Sequence, residues 1–214
     1  MKNLLIICSA ALISLISCAN KKAPVIVENE AIPAHVKTDT VTFGNGCFWC
    51  TEAIFQQVNG VLKVESGYSG GHIENPTYQQ VTTGLTGHAE CLNIIYDPAK
   101  ITYDELLEIF WQTHDPTTLN RQGNDVGTQY RSVIFYHNEE QKKVGQEYME
   151  KLDKSGAFND PIVTTFEPFT KFYKAENYHQ NYYNQNGEQP YCKFVIQPKL
   201  EKFRKVFKDK LKRS

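Results

Sequence analysis

Short apolar runs bounded by turn residues predict a series of β-strands along the chain. The expected strands lie at residues 41–44, 61–68, 89–96, 131–137 and 162–166. In the third strand, Glu90 shares one face with Leu92 and Ile94, whereas Cys91 points to the other face, because side chains alternate along a strand. The carboxyl group of Glu90 is therefore expected among apolar neighbours.

Apolar residues spaced three and four apart predict helices between and after these strands. The expected helices lie at residues 47–58, 102–115 and 138–154, and from residue 198 towards the C-terminus. Thr102 and Glu105 have the spacing of a capping box, and Asn138 is a suitable N-cap. No period is visible over residues 117–129, so we expect a loop there.

The order strand, helix, strand, strand, helix, strand over residues 41–137 is the split βαβ, or ferredoxin-like, pattern. We therefore predict the α+β class, as a two-layer sandwich with a ferredoxin-like split βαβ core and C-terminal additions. The chain has 214 residues, of which 41% are hydrophobic and 22% charged, which suits one main globular domain. Its 23 basic and 24 acidic residues give a net charge of -1, so nucleic acid is not expected as a partner.

The first residues have the layout of a secretory signal peptide, expected at residues 1–17, with an apolar run too short to span a bilayer comfortably. The run ends in Leu15-Ile16-Ser17-Cys18, which resembles the bacterial lipobox, where the signal is cut before the Cys and lipid is attached to it. An ordinary cleavage site and a transmembrane anchor are the alternatives. We expect an exported protein of the bacterial cell envelope, anchored by lipid at Cys18 on the periplasmic side of the outer membrane. Residues 18–40 are interpreted as a flexible tether and residues 41–214 as the folded domain.

The sequence Gly46-Cys47-Phe48-Trp49-Cys50 carries the most specific chemical signal. A Gly-Asn-Gly turn is expected to place Cys47 at the start of a helix, where free N–H groups and the helix dipole favour the thiolate. Cys50 lies on the same helix and could approach Cys47, as in Cys-x-x-Cys redox sites. A buried structural role for Cys47 is the alternative. Cys91 has no supporting motif and is interpreted as a buried or spare thiol.

A series of sequence blocks resembles, in order, those of the peptide methionine sulfoxide reductase A family. The blocks are Gly46-Cys47-Phe48-Trp49 and residues 67–71 (GYSGG), 87–90 (GHAE), 114–117 (HDPT), 122–132 (QGNDVGTQYRS), 175–180 (AENYHQ) and 190–192 (PYC). The resemblance covers nearly everything from Val41 to Lys205. It implies thiol-dependent reduction of the S epimer of methionine sulfoxide, free or in proteins, to methionine, and so the repair of oxidised proteins.

The resemblance also implies a role for each matching residue. The Cys47 thiolate would attack the sulfoxide sulfur, and Glu90 would supply a proton to the sulfoxide oxygen. Tyr78 and Tyr130 would donate hydrogen bonds from their hydroxyls, and Asp125 would orient a water or hold these donors. An apolar wall for the S-methyl group would be formed by Phe48 and Trp49.

Turnover then needs a second thiol, because the attack leaves Cys47 as a sulfenic acid that condenses to a disulfide. Cys192 matches the family's C-terminal resolving position, on a segment expected to be mobile. We expect the Cys47–Cys192 disulfide to form first, with Cys50 able to take over by exchange. A thioredoxin-like reductant would then regenerate the thiols of a monomer that needs no cofactor or metal.

The residues leave two other functions open. A general thiol-disulfide oxidoreductase could use Cys47 and Cys50, although Glu90 and the tyrosines would then have no role. A lipid-anchored metal-binding or adhesion module could combine these two thiols with histidine ligands. The candidate ligands are His72, His88, His114 and His179.

Overall fold

The computed structural model describes residues 32–213. The expected signal peptide (1–17), the lipidation site at Cys18 and the expected tether as far as residue 31 lie outside the described residues. The first strand begins at Asp39, so the last two residues of the expected 18–40 tether belong to the sheet. Within residues 32–213, no helix has the length and apolar character that crossing a membrane requires.

The described part of the chain alternates strands and helices. Its strands are β1 (Asp39–Asn45), β2 (Val61–Ser69), β3 (Ala89–Tyr96), β4 (Arg121–Gln122), β5 (Asp125–Val126), β6 (Ser132–Tyr136), β7 (Thr165–Pro168) and β8 (Tyr173–Lys174). Its α-helices are α1 (Phe48–Phe55), α2 (Tyr78–Thr82), α3 (Tyr103–Gln112), α4 (Glu139–Lys154), α5 (Tyr182–Asn186) and α6 (Gln197–Val206). Short 3-10 turns lie at Thr128–Tyr130, Asn177–His179 and Lys208–Lys210, and a π-helical turn lies at Cys192–Ile196.

The main sheet has the strand order β7-β6-β1-β3-β2-β8. Neighbouring strands are antiparallel except β6 and β7, which are parallel. In its centre, β3 lies between β1 and β2, and β6 flanks β1, which is the split βαβ order. The predicted α+β class and core order are therefore confirmed.

The core lies between one face of the sheet and the helices. Phe43 of β1 and Leu92 of β3 are buried there in one cluster with Phe55 of α1 and Phe110 of α3. The opposite face carries a smaller cluster that includes Cys91, covered by residues 169–172. Because Glu90 alternates with Cys91, its carboxyl group is directed to the helix side, as the strand pattern predicts.

The predicted helix starts are present. The Glu105 N–H donates to Thr102 Oγ1 at 3.3 Å, and the Thr102 N–H donates to Glu105 Oε2 at 2.8 Å, which completes the capping box of α3. At the start of α4, Asn138 Oδ1 accepts the Gln141 N–H at 2.8 Å. Local side-chain capping therefore sets both boundaries.

Three predicted segments differ from the structure. The expected loop at 117–129 contains the β4–β5 hairpin, and the strand expected at 162–166 begins later, at Thr165, where it pairs with β6. The last helix begins before Pro198: helical residues start at Pro190 and continue through the π-helical turn into α6. In this last helical region, the Cys192 side chain packs in the core and is 0% exposed, and the expected mobility of its segment stays a prediction.

Candidate active site

A tight turn between β1 and α1 delivers Cys47 to the start of a helix. Gly46 has φ 95°, and a Cβ atom there would lie 2.6 Å from Gln122 Cγ, so the turn requires glycine. Cys47 is the N-cap of α1. The Thr51 hydroxyl donates to Asn45 Oδ1 at 2.7 Å, and this buried bond joins α1 to the last residue of β1 across the turn. The predicted position of Cys47 is confirmed.

Cys47 opens into a cavity of about 150 Å³. The cavity is lined by Cys47, Phe48, Trp49, Tyr78, Glu90, Asp125, Tyr130 and Tyr191. Seven of these residues are predicted site residues, and Tyr191 is an addition. Cys50 and Cys192 do not line the cavity, and both side chains are buried.

Glu90 provides a buried carboxyl group beside the helix start. It is 1% exposed, and its Oε2 accepts the Phe48 N–H at 3.1 Å. Burial raises the pKa of Glu90 to about 8, the Phe48 N–H opposes this rise, and the charges of Asp125 and Cys50 add to it. Glu90 is therefore protonated at neutral pH and can donate a proton inside the cavity.

Two tyrosine hydroxyls face the same cavity. Burial raises the pKa of Tyr78 to about 12, and burial together with the charge of Glu90 also raises the pKa of Tyr130. Tyr78 is the first residue of α2, and its N–H donates to Glu176 Oε1 at 2.9 Å. Both hydroxyls stay protonated and can act as hydrogen-bond donors.

The paired thiols of Cys47 and Cys50, here called the dithiol, interact directly. All four cysteines of the described residues are free thiols. Burial raises the pKa of Cys47 well above its usual value, and so do Cys50 and Glu90, while a hydrogen bond with Tyr191 lowers it. The pKa of Cys50 is lowered to about 7, chiefly by its hydrogen bond with Cys47 and also by Lys199. Burial therefore opposes the thiolate that the helix N-terminus favours at Cys47, and the expectation that Cys47 carries the thiolate stays a prediction.

Trp49 is held at the cavity by two contacts. Its Nε1–H donates to His179 Nδ1 at 3.1 Å. Its ring stacks on Tyr182 with 3.7 Å between ring centroids and an angle of 7°. The Phe48 ring lies 5.1 Å from the His179 ring, which is itself buried. Phe48 and Trp49, here called the apolar wall, are thus supported by the segment that follows β8.

Tyr191 joins the last helix to the cavity. Its hydroxyl donates to Asp125 Oδ2 at 2.7 Å and lies 3.8 Å from Cys50 Sγ. In the sequence, Tyr191 stands out only as part of the 190–192 block, which predicts no role for it. Likewise, His179 was considered only as a metal ligand, although it also lies within a matching block. Membership of these blocks was the available signal for both residues.

Glu52 is a second buried carboxyl group, outside the cavity. Burial raises its pKa to about 7, against the lowering effect of hydrogen bonds from the Asn181 and Tyr182 N–H groups. No motif in the sequence singled it out. Its contacts connect α1 to the start of α5.

Three of the four histidines proposed as metal ligands, His88, His114 and His179, have other hydrogen-bond partners. His88 bonds the Gly71 N–H and the Ile73 carbonyl, and His114 bonds the Phe110 carbonyl and the Ser132 hydroxyl. Within residues 32–213, no group of three or more His, Cys, Asp or Glu residues is arranged to hold a metal ion. The arrangement of the described residues therefore gives the metal-module alternative no support.

The dithiol can supply two electrons and Glu90 can supply a proton, which together equip the site as a thiol-dependent reductase. Residues 39–211 match the family described as peptide methionine sulfoxide reductase, and the chain belongs to that family. The resemblance identified in the sequence is confirmed.

Individual relatives agree with this assignment. A peptide methionine sulfoxide reductase MsrA of Saccharolobus solfataricus is 54% identical over 174 residues, which are 81% of this chain and 97% of that protein. Mxr1 from Saccharomyces cerevisiae in reduced form has a TM-score of 0.69 and 36% identity, over 76% of this chain and 92% of that chain. Mxr1 in complex with Trx2 has a TM-score of 0.50 and 28% identity, over 72% of this chain and 88% of that chain.

Proposed function

We propose that this chain reduces the S epimer of methionine sulfoxide, free or in proteins, to methionine, with Cys47 as the nucleophile. The family assignment supports sulfoxide reduction as the reaction. The observation that carries the assignment of roles is the buried, protonated carboxyl group of Glu90 in the cavity into which Cys47 opens. A general thiol-disulfide exchange function would leave this acid without a role.

In the proposed reaction, the Cys47 sulfur bonds to the sulfoxide sulfur while Glu90 delivers a proton to the sulfoxide oxygen. Tyr78 and Tyr130 donate hydrogen bonds to that oxygen as negative charge develops on it. The hydroxyl group then passes from the substrate sulfur to the Cys47 sulfur. The S–O bond and the new S–S bond both break, which yields methionine and Cys47 sulfenic acid. The proton of the Cys47 thiol passes to a base as its sulfur attacks, and the neighbouring Cys50, whose pKa is lowered to about 7, is the group that we propose accepts it.

Recognition of the substrate rests on the apolar wall. A sulfoxide carries one polar atom, and the rest of its reacting group is an S-methyl group that only apolar contact can hold. Phe48 and Trp49 offer such contact beside Cys47. The stereochemical preference for the S epimer is carried over from the family resemblance.

Recycling uses a second thiol and an external reductant. The Cys47 sulfenic acid loses water as it forms a disulfide with Cys50 or Cys192, and a thioredoxin-like dithiol then reduces that disulfide. The solved complex of Mxr1 with Trx2 supports a partner of this type.

The proposal also includes a cellular location, at a membrane. The Leu15-Ile16-Ser17-Cys18 sequence supports export, lipid attachment at Cys18 and a place in the bacterial cell envelope, with the enzyme on a tether at the outer membrane. Oxidised proteins of the envelope would then be its substrates.

A single-turnover assay tests the catalytic proposal. Reduced protein without external reductant is mixed with the S or R sulfoxide of a methionine peptide, and methionine is quantified. The wild type is expected to form methionine from the S epimer, and Cys47→Ala is expected to form none. Cys91→Ala is the matched control, because Cys91 lies on the opposite face of the sheet. Retained turnover in Cys47→Ala would remove the proposed nucleophile.

A further inference from the structure

Glu52 is a buried carboxyl group that the proposed reaction does not use. It lies in α1, one turn beyond Trp49, and it is 1% exposed. Each of its oxygens accepts a backbone N–H from a distant segment: Oε1 accepts from Asn181 at 2.8 Å and Oε2 from Tyr182 at 3.1 Å. When both oxygens of a buried carboxyl group accept N–H groups from another segment, they hold that segment against the helix that carries the carboxyl group, here α1.

The segment that Glu52 holds is a turn with no other side-chain cap. Asn181 adopts a left-handed conformation with φ 54°, and Tyr182 begins α5 immediately after it. The Asn181 side chain does not cap α5. Glu52 therefore supplies, from α1, the acceptors that a helix start needs.

This turn carries one of the two supports of Trp49. The Tyr182 ring lies flat on the Trp49 ring, and the other support is the hydrogen bond to His179. Tyr182 and Trp49 belong to segments far apart in the sequence, so their contact depends on how the turn is docked on α1. Glu52 makes two of the docking hydrogen bonds, and it makes them at the turn itself, while Asn184 of α5 adds a bond to Gln56 at 3.2 Å.

We propose that Glu52 is a positioning residue for the apolar wall: by accepting both N–H groups of the Asn181–Tyr182 turn, it holds Tyr182 against Trp49. The inference rests on the proposed function, in which Trp49 borders the S-methyl group of the substrate. Glu52 does not touch the cavity, so it acts on the reaction only through Tyr182 and Trp49.

The two acceptor oxygens and the shape of Glu52 both matter to this role. Two N–H donors require two acceptor oxygens, and a glutamine would turn an NH₂ group towards one of them. Glu52→Gln therefore keeps the size of the side chain and removes one of the two contacts. The turn, with Tyr182, should then lose its fixed position on α1.

The first measurement separates binding from chemistry. In steady-state reduction of an S-sulfoxide peptide, Glu52→Gln is expected to raise KM about tenfold, which is within the effect of one lost hydrogen bond, with a smaller change in kcat. Gln141→Leu is the matched control. Gln141 is also buried and contacts backbone groups, the His137 N–H and the Thr40 carbonyl, away from the cavity. This control is expected to lower stability and leave KM unchanged.

The second measurement reports Trp49 itself. The chain has two tryptophans, and Trp111 is almost fully buried whereas Trp49 is half-buried, so quenching of fluorescence by acrylamide reports mainly on Trp49. Glu52→Gln is expected to increase quenching, and Gln141→Leu is not. If quenching and KM in Glu52→Gln match the wild type, the proposal is overturned.

A second variant keeps the test decisive if Glu52→Gln does not fold. Tyr182→Leu removes the stacked ring without touching Glu52, and it should raise both KM and quenching. The double variant Glu52→Gln/Tyr182→Leu should have the same KM and the same quenching as Tyr182→Leu alone, because the two changes act through one contact. Unchanged KM and quenching in Tyr182→Leu would overturn the inference. A wild type that reduces no sulfoxide would instead refute the proposed function, while the quenching comparison would still test the position of Trp49.

Discussion

The hydroxyl of Tyr191 donates to Asp125 Oδ2 at 2.7 Å, and this bond ties the helix that carries Cys192 to the hairpin at the edge of the cavity. The same hydroxyl lies 3.8 Å from Cys50 Sγ. Tyr191 therefore lines the cavity and contacts both Asp125 and the buried thiol of Cys50. Because Tyr191 directly precedes Cys192, we expect a movement of Cys192 towards Cys47 to strain or break the bond to Asp125.

Tyr191→Phe should make the dithiol harder to ionise. The hydroxyl lowers the pKa of both Cys47 and Cys50 by hydrogen bonding, so its removal should shift thiol ionisation to higher pH. The rate of alkylation by iodoacetamide, measured against pH by peptide mass spectrometry, gives this shift. Tyr183→Phe, a change in α5 outside the cavity lining, is the control. An identical alkylation profile in Tyr191→Phe would show that its hydroxyl does not act on the thiols.

Glu90→Gln should slow the sulfoxide step by about 10²-fold or more, the usual contribution of a positioned acid. Since the acid must be protonated and burial raises the pKa of Glu90 to about 8, the wild-type single-turnover rate should fall as the pH rises through about 8. In Glu90→Gln this decline should disappear, while alkylation of the thiols continues. An unchanged rate in the variant would assign proton delivery to another group.

The two buried carboxyl groups should also make stability depend on pH. Glu52 and Glu90 have pKa values raised to about 7 and about 8, so the folded chain keeps protons that the unfolded chain releases near its ordinary pKa of about 4.3. Their contribution to stability is full at acidic pH and is lost as the pH rises through 7 and 8. Urea unfolding at pH 5 and pH 8 should show a lower free energy of unfolding at pH 8. Glu90→Gln should reduce this difference, and an equal difference in both proteins would contradict the assignment.

Much of the fold could be predicted from the sequence because its signals are local. The capping box of Thr102 and Glu105 and the alternation that turns Glu90 inwards each depend on a few neighbouring residues, and both are present in the structure. The order of these elements then leaves few arrangements besides the split βαβ core. The thiol position at Cys47 follows from the same local turn chemistry.

The remaining features depend on contacts between distant parts of the chain. The bond from the Asn181 N–H to Glu52 joins residues 129 positions apart, and no local pattern indicates it. The helical turn at Cys192 follows polar residues, and its packing in the core determines its conformation. The pKa of Cys47 likewise depends on burial by other segments, which outweighs the favourable helix start that the sequence shows.

Cys18→Ala should release the protein from the membrane. The lipobox-like ending of the apolar run predicts that the wild type carries lipid at Cys18 and fractionates with membranes. Metabolic labelling with a radioactive fatty acid should mark the wild type and not Cys18→Ala. Cys8→Ala, which alters a cysteine within the expected signal peptide, should leave labelling intact. A wild type that takes up no fatty acid would refute the lipid anchor.

The order in which the disulfides form can be tested directly, and the positions of the thiols in the structure favour an order that differs from the one expected from the sequence. Cys50 shares a hydrogen bond with Cys47, whereas Cys192 is buried in a helical turn behind Tyr191. The Cys47–Cys50 disulfide should therefore form first, with later exchange from Cys50 to Cys192 once Tyr191 leaves Asp125. Acid quenching at successive times after one equivalent of sulfoxide, followed by mass spectrometry, should show the two disulfides in that order.

Variants separate this relay from direct attack by Cys192. Cys50→Ser should let the Cys47 sulfenic acid accumulate, because Cys192 cannot reach Cys47 until its helix opens. A dimedone adduct at Cys47 would detect the sulfenic acid. Cys192→Ser should still form Cys47–Cys50 at the wild-type rate but should recycle slowly with thioredoxin, because both thiols are buried. Rapid formation of Cys47–Cys192 in Cys50→Ser, at the rate of the first wild-type disulfide, would show that the helix opens freely and that Cys192 is the primary resolving thiol.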